Sequence, residues 1–343
     1  NPYDIGSRVQ VIPQSGNVYA FAYPPHIYPL ATLLGVFSPA ASWIVITAIN
    51  VFCLGSLLYL CSQWSERYVS ARRTVEPTIS ASAFIAACLV LPFTAHVLFM
   101  GQTSLIAIAA LAWAWEYSRR ESILASGFLL SIALIKPQLC ILVVIWLLLE
   151  RRWTLLLISG SFVLMFSLAS FISMGPELVL GSWIHEIAVY KSSRLNSWGF
   201  NHMFGVPNVL HMVGISTQFT LLFGVAALAL TWTFREKLWS TDIFPLLVGY
   251  ALLFFGAHDY DLVAIIPLSA MLWCRTGTVN VQLLVLIGVS FFSLYVPQRI
   301  LRTLAMPLLL EYRVVSLLIL LGVLIFLSVR DWREPAPEIR TGR

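Results

Sequence analysis

Four short polar groups interrupt an otherwise apolar chain, and their residue types limit the chemistry available to it. Lys136-Pro137-Gln138 sets one ammonium beside a proline that fixes the backbone, an arrangement suited to a phosphate. His258-Asp259-Tyr260-Asp261 gathers an imidazole and two carboxylates within four residues, the groups that general acid–base chemistry uses. Gly101-Gln102 and Tyr23-Pro24-Pro25-His26 add an amide, a phenol and a second imidazole. Each group also has a purely structural reading. Lys136 can snorkel toward headgroups, the His258 segment can be a solvated loop tip, and Gln102 can simply start a packed helix. A divalent cation needs more ligands than one short segment supplies, and no second cluster stands out in the sequence, so no metal site is expected. The stretch from Asn196 to His202 mixes aromatic and amide groups as sugar-binding surfaces do, and as membrane-interface belts also do.

The elements that position these groups follow from composition. The chain has 343 residues, 59% hydrophobic and 11% charged, with a mean hydropathy of +0.84. Soluble domains carry about 25% charged residues, so a water-soluble fold is excluded. Apolar runs of spanning length recur from Ile44 to Val329 without the alternation of a barrel strand. Cys53, Cys61, Cys88, Cys140 and Cys274 lie in or beside apolar runs without ligand spacing, and read as small core residues. A net charge of +5 comes with no basic run interleaved with aromatics, so nucleic acid is not an expected partner.

The breakers predict helices near 40–61, 79–98, 102–116, 121–135, 138–149, 153–173, 216–234, 242–257, 261–274, 279–296 and 309–329. The expected fold is therefore all-α, a polytopic transmembrane bundle of about ten or eleven spans. It divides into an outer-face loop with an interfacial helix (1–39), a transmembrane domain (40–329) carrying an outer loop at 174–214, and a basic cytoplasmic tail (330–343). Placing the loop 62–78 in the cytoplasm gathers Arg67, Arg72, Arg73, Arg119, Arg120, Arg151, Arg152, Arg235, Lys237, Arg275 and the tail arginines on one side. That parity holds only if 121–149 and 242–274 are each two short helices meeting at a polar turn. The segment Tyr23–Phe37, interrupted by Pro24, Pro25 and Pro29, then lies on the outer surface. All four polar groups fall on that outer side. Ionisable groups at membrane depth cost about 2.5–3.5 kcal/mol on insertion scales, which marks them as functional candidates.

In this order the groups resemble glycosyltransferase family 87, polytopic GT-C enzymes that include polyprenol-phosphate-mannose-dependent mannosyltransferases. The matching pieces are Asn1-Pro2-Tyr3-Asp4, Phe21-Ala22-Tyr23-Pro24-Pro25, Gly101-Gln102, Lys136-Pro137-Gln138 ahead of Arg151-Arg152-Trp153, and His258-Asp259-Tyr260-Asp261. The resemblance runs from Asn1 to about residue 275. It implies transfer of a hexose, mannose in the family's best-known members, from a polyprenol-phosphate donor to a lipid or glycan acceptor. The transfer would take place on the outer face of the plasma membrane, without a metal or other cofactor. Lys136 and His258 would then stabilise the leaving phosphate, and Tyr23, Pro24, His26, Gln102 and Gln138 would line the substrate site. Asp259 and Asp261 would orient His258 or sugar hydroxyls. The family's base is typically an aspartate just after the first transmembrane helix. Here the chain opens at Asn1, so that residue is expected upstream, and Asp4 is the acidic candidate within the sequence.

Two other classes compete. A transporter or flippase would show paired repeats and charges near span centres, neither of which the sequence contains. A non-catalytic assembly subunit would lack the upstream aspartate.

Overall fold

A computed structural model describes residues 23–72, 77, 79–192, 197–198, 203–296 and 311–333. Asp4 lies outside these residues. Among them are fifteen α-helices and a single two-stranded pairing, so the all-α bundle expected from the sequence is what the chain forms. Three helices are long and apolar enough to cross a membrane unaided, Pro39–Ala71, Trp153–Met174 and Tyr312–Trp332, and a bent pair at 81–100 makes a fourth. Several other apolar helices are shorter, among them Ile123–Ala133, Pro137–Leu149 and Ser240–Phe254. Ten or eleven crossings were expected from apolar runs; most of those runs form helices too short to span alone.

The first described element is a 3-10 turn at Pro25–Ile27, which continues as α1 (Tyr28–Gly35), so the proline-interrupted segment is helical. The next helix, α2 (Pro39–Arg72), runs well past residue 61, where hydropathy suggested a loop. The cause is visible in its last turns. Trp64 and Tyr68, four residues apart, are fully buried, and Trp64 donates to Glu116 at 2.7 Å. Hydropathy reports contact with lipid, whereas helix continuation needs only backbone bonds and partnered side chains.

α3 (Ala81–Val90) and α4 (Pro92–Met100) meet at Leu91, whose ψ of 125° is not helical. Pro92 lacks the N–H that would continue the ladder and bends the pair by 49°. Thr94 hydroxyl donates to the Cys88 carbonyl that the break leaves open. Gly101 ends α4 in the left-handed region (φ 62°), which redirects the chain into α5 (Ser104–Arg119). α6 (Ile123–Ala133) and α7 (Pro137–Leu149) are separate helices, as the charge parity required. A residue before proline is driven out of the helical region, and Lys136 sits at φ −119°, ψ 78°.

After α8 (Trp153–Met174) comes a departure from expectation. The segment 174–214, read as an outer loop, contains α9 (Pro176–Ser192), the strand β1 (Met203–Phe204) and α10 (Val206–Met212). α9 carries Glu177, Glu186 and Lys191, enough charge to mask its helical pattern from a hydropathy reading. α11 (Thr220–Thr233) leads to α12 (Ser240–Phe254), whose residues Asp242–Leu253 are buried all round. α12 is therefore the bundle's central post, packed against α7, α11, α13 (Ile266–Trp273) and α15 (Tyr312–Arg333). Gly249 lets α15 approach closely, since a Cβ there would lie 2.6 Å from Leu321. β2 (Ala257–His258) pairs antiparallel with β1, Met203 opposite His258. A 3-10 segment, Asp259–Ile265, joins β2 to α13, and α14 (Val281–Tyr295) completes the described bundle.

Candidate functional site

Three chain turns converge at one end of the bundle. The pre-proline turn before α7 presents Lys136, the start of α5 presents Ser104, and the 3-10 segment after β2 presents Asp261. Lys136 Nζ lies 2.6 Å from Asp261 Oδ1 and donates to Ser104 Oγ at 2.8 Å. Ser104 in turn donates to the same carboxylate oxygen at 2.8 Å. All three are buried. Lys136 therefore corrects one sequence expectation: its ammonium is the lone charge of its own turn, yet a carboxylate 125 residues away neutralises it. A buried pair of this kind is about 3–5 kcal/mol costly to break from one side, because the other charge stays desolvated.

The pair also fixes the imidazole. Asp261 Oδ2 accepts the backbone N–H of His258 at 3.1 Å, and the His258 side chain accepts the backbone N–H of Asp261, a reciprocal cap at the start of the 3-10 segment. His258 Nε2 then meets the Tyr190 hydroxyl at 2.7 Å. Tyr260 stacks on the imidazole, centroids 5.0 Å apart, and presents its face to Lys136 Nζ at 4.6 Å. His96 approaches the same ring edge-on at 5.7 Å. Burial and the Asp261 charge push the Tyr190 phenol well above its ordinary pKa.

A second layer joins this cluster through α5. Tyr23 donates to Gln102 Oε1 at 3.1 Å, and Thr103, next to Ser104, donates to the Tyr23 oxygen at 3.4 Å. Pro24 and His26 are buried beside it in the 3-10 turn, which packs on α8. Burial lowers the His26 pKa to about 4, so this imidazole is neutral at physiological pH. Among the described residues no hydrogen bond links Gln138 to the cluster; it is half-buried on the first turn of α7. Asp259 pairs with Arg313 Nη1 at 3.3 Å, tying the start of α15 to the site. Next to it, Asn208 donates to Glu311 at 2.6 Å, and burial raises that carboxyl to about 7.

The structure thus brings together Tyr23, Gln102, Lys136, His258 and Asp261, with Asp259 one step removed. Sequence reading did not single out Ser104, Tyr190, Arg313 or Glu311. A faint signal existed for Tyr190: Trp183, Glu186 and Tyr190 lie at helical spacing in 174–214, and Glu186 is fully buried. The resulting site has two levels. A buried floor holds Lys136, Ser104 and Asp261. A half-buried rim presents Tyr23, Gln102, Tyr190, His258 and Tyr260, ring faces and hydrogen-bonding groups of the kind that suit a polyhydroxylated ligand. Among the described residues no group of three or more His, Cys, Asp or Glu converges as metal ligands would.

A family model described as glycosyltransferase family 87 matches residues 21–256, more than half of the chain. The matched region holds Tyr23, Gln102, Lys136 and Tyr190 and stops just short of His258. No curated protein and no solved structure matches the chain.

Proposed function

The chain belongs to glycosyltransferase family 87, and on that premise we propose that it moves a hexose, mannose, from a polyprenol-phosphate donor to a lipid or glycan acceptor on the outer face of the plasma membrane. The observation that carries this reading is the two-level site at one end of the helices. A lipid-linked substrate keeps its chain in the bilayer while its phosphate and sugar reach the membrane surface, which is where such a rim must lie. The phosphate leaves with growing negative charge, so donors aimed at it lower the barrier. In this reading the half-buried rim around His258 meets the phosphate, and the buried Lys136–Asp261 pair, its two charges neutralising each other, holds the imidazole in place. Tyr23 and Gln102 contact sugar hydroxyls, while Asp259 anchors the start of α15 through Arg313. The basic ends of α5, α7 and α15 would then face the cytoplasm, as positive-inside charge placement requires.

The test is transfer of radiolabelled sugar from polyprenol phosphate into membrane lipid by the full-length protein. Lys136→Ala and His258→Ala should each lose about 100-fold in rate. Activity equal to the parent in both variants would sink the site assignment.

A further inference from the structure

α9 lies in none of the polar motifs read from the sequence, yet it places Tyr190 on the imidazole of His258. The direction of that hydrogen bond can be deduced. Nε2 is the nitrogen at Tyr190, so the nitrogen that accepts the Asp261 backbone N–H in the reciprocal cap is Nδ1. A neutral imidazole with an accepting Nδ1 carries its proton on Nε2. His258 is therefore the donor and the Tyr190 oxygen the acceptor, which directs the Tyr190 proton away from the imidazole. A hydroxyl that accepts one hydrogen bond becomes a stronger donor in the next, because the bonds polarise each other.

We propose that the Tyr190 hydroxyl donates a hydrogen bond to the phosphate oxygen of the departing lipid, with His258 polarising and positioning it. The inference rests on the donor assignment above. As the sugar C1–oxygen bond breaks, its electron pair passes to the phosphate oxygen, and Tyr190 stabilises the charge arriving there. The acceptor oxygen bonds C1 and releases its proton, which balances the new phosphate charge, so the products are the glycoside and a lipid phosphate monoanion. Tyr190 keeps its own proton throughout. Burial and the nearby Asp261 charge, which hold the phenol protonated, support a donor and oppose a base.

Tyr190→Phe removes one oxygen and keeps the ring that packs edge-on against His258. With the labelled polyprenol-phosphate donor, kcat should fall on the order of 100-fold, with donor KM within about threefold of the parent and an unchanged melting temperature. Replacing Tyr190 by 3,5-difluorotyrosine, whose phenol ionises more readily, should retain activity at low pH and lose it at a lower pH than the parent. A Phe variant within twofold of the parent overturns the inference, as does an unaltered pH profile in the fluorinated protein. An inactive parent enzyme would instead overturn the donor reading.

Discussion

The helices carry a buried ion pair at each end, and the two are built for different purposes. At the end opposite Lys136, Arg275 is completely enclosed. Its guanidinium reaches Asp242 at 2.7 Å and Asp331 at 3.1 Å, donates to the Met271 carbonyl at 2.7 Å, and lies 4.1 Å over the ring of Tyr68. Ser328 donates to Asp242, and Tyr68 donates to Asp331 at 2.5 Å. Four helices or helix ends, α2, α12, α13 and α15, are joined in this way, and the half-buried Arg330 adds a contact to Asp331 at 3.1 Å. The Lys136–Asp261 pair is equally buried but opens at one edge, through His258, onto a half-exposed rim. From Arg313 to Asp331 along α15 the two clusters are separated by roughly 27 Å. Charges shared among several helices hold those helices together; the other pair leads outward and fixes the position of a half-exposed imidazole. Arg275, counted from the sequence among the basic residues of one membrane side, is buried in the bundle.

The sharpest way to break this contrast is Arg275→Ala. It leaves Asp242 desolvated without its cation and Asp331 with the half-buried Arg330 alone, and the expected loss is about 3–5 kcal/mol, seen as a collapse of monodisperse protein in detergent chromatography. A protein that melted normally would show that the enclosed cluster is not structural. His258→Ala should do the reverse. Transfer should drop about 100-fold, some 2.7 kcal/mol of barrier, while the melting temperature moves by no more than about 2 °C; a large melting shift would place the site among the structural clusters.

Glu311 sharpens the comparison through pH. Its folded pKa is raised from 4.5 to about 7, so the folded state binds more protons than the unfolded state between those values. The resulting stability is full below the unfolded pKa and is lost as pH rises through about 7, an effect on the order of 3 kcal/mol. Melting curves of Glu311→Gln should lack that slope and exceed the parent at pH 8, and a retained slope would assign it elsewhere. The smallest effect belongs to Gly101→Ala. A φ of 62° and an Ile46 methyl 3.1 Å from the new Cβ predict about 1 kcal/mol of destabilisation. Because this turn sets Gln102 against Tyr23, donor KM should rise as well, which parallel melting and kinetic measurements resolve.

The polar motifs were legible because they stood out against an apolar background. Lys136, His258, Gln102 and Tyr23 are conspicuous for residue type alone, and Pro137 and Pro92 announce their breaks through missing N–H groups. Ser104 was invisible, since a serine at a helix start has an ordinary capping explanation. Arg313 was visible as a charge but not as the partner of Asp259, 54 residues earlier in the chain. α9 was hidden by its charges, and with it went Tyr190.

By itself, then, the sequence determined that this is a membrane bundle, where most of its helices break, and which motifs hold its scarce ionisable groups. Those properties depend on local composition, prolines and glycines, which act over a few residues. Only the tertiary structure decided which charges neutralise each other, that Arg275 faces inward to Asp242 and Asp331, and that Asp261 serves Lys136 and His258 together. The charge pairings join groups 33 to 125 residues apart in the chain, and burial makes each one decisive, because a charge without water must find its partner inside the fold.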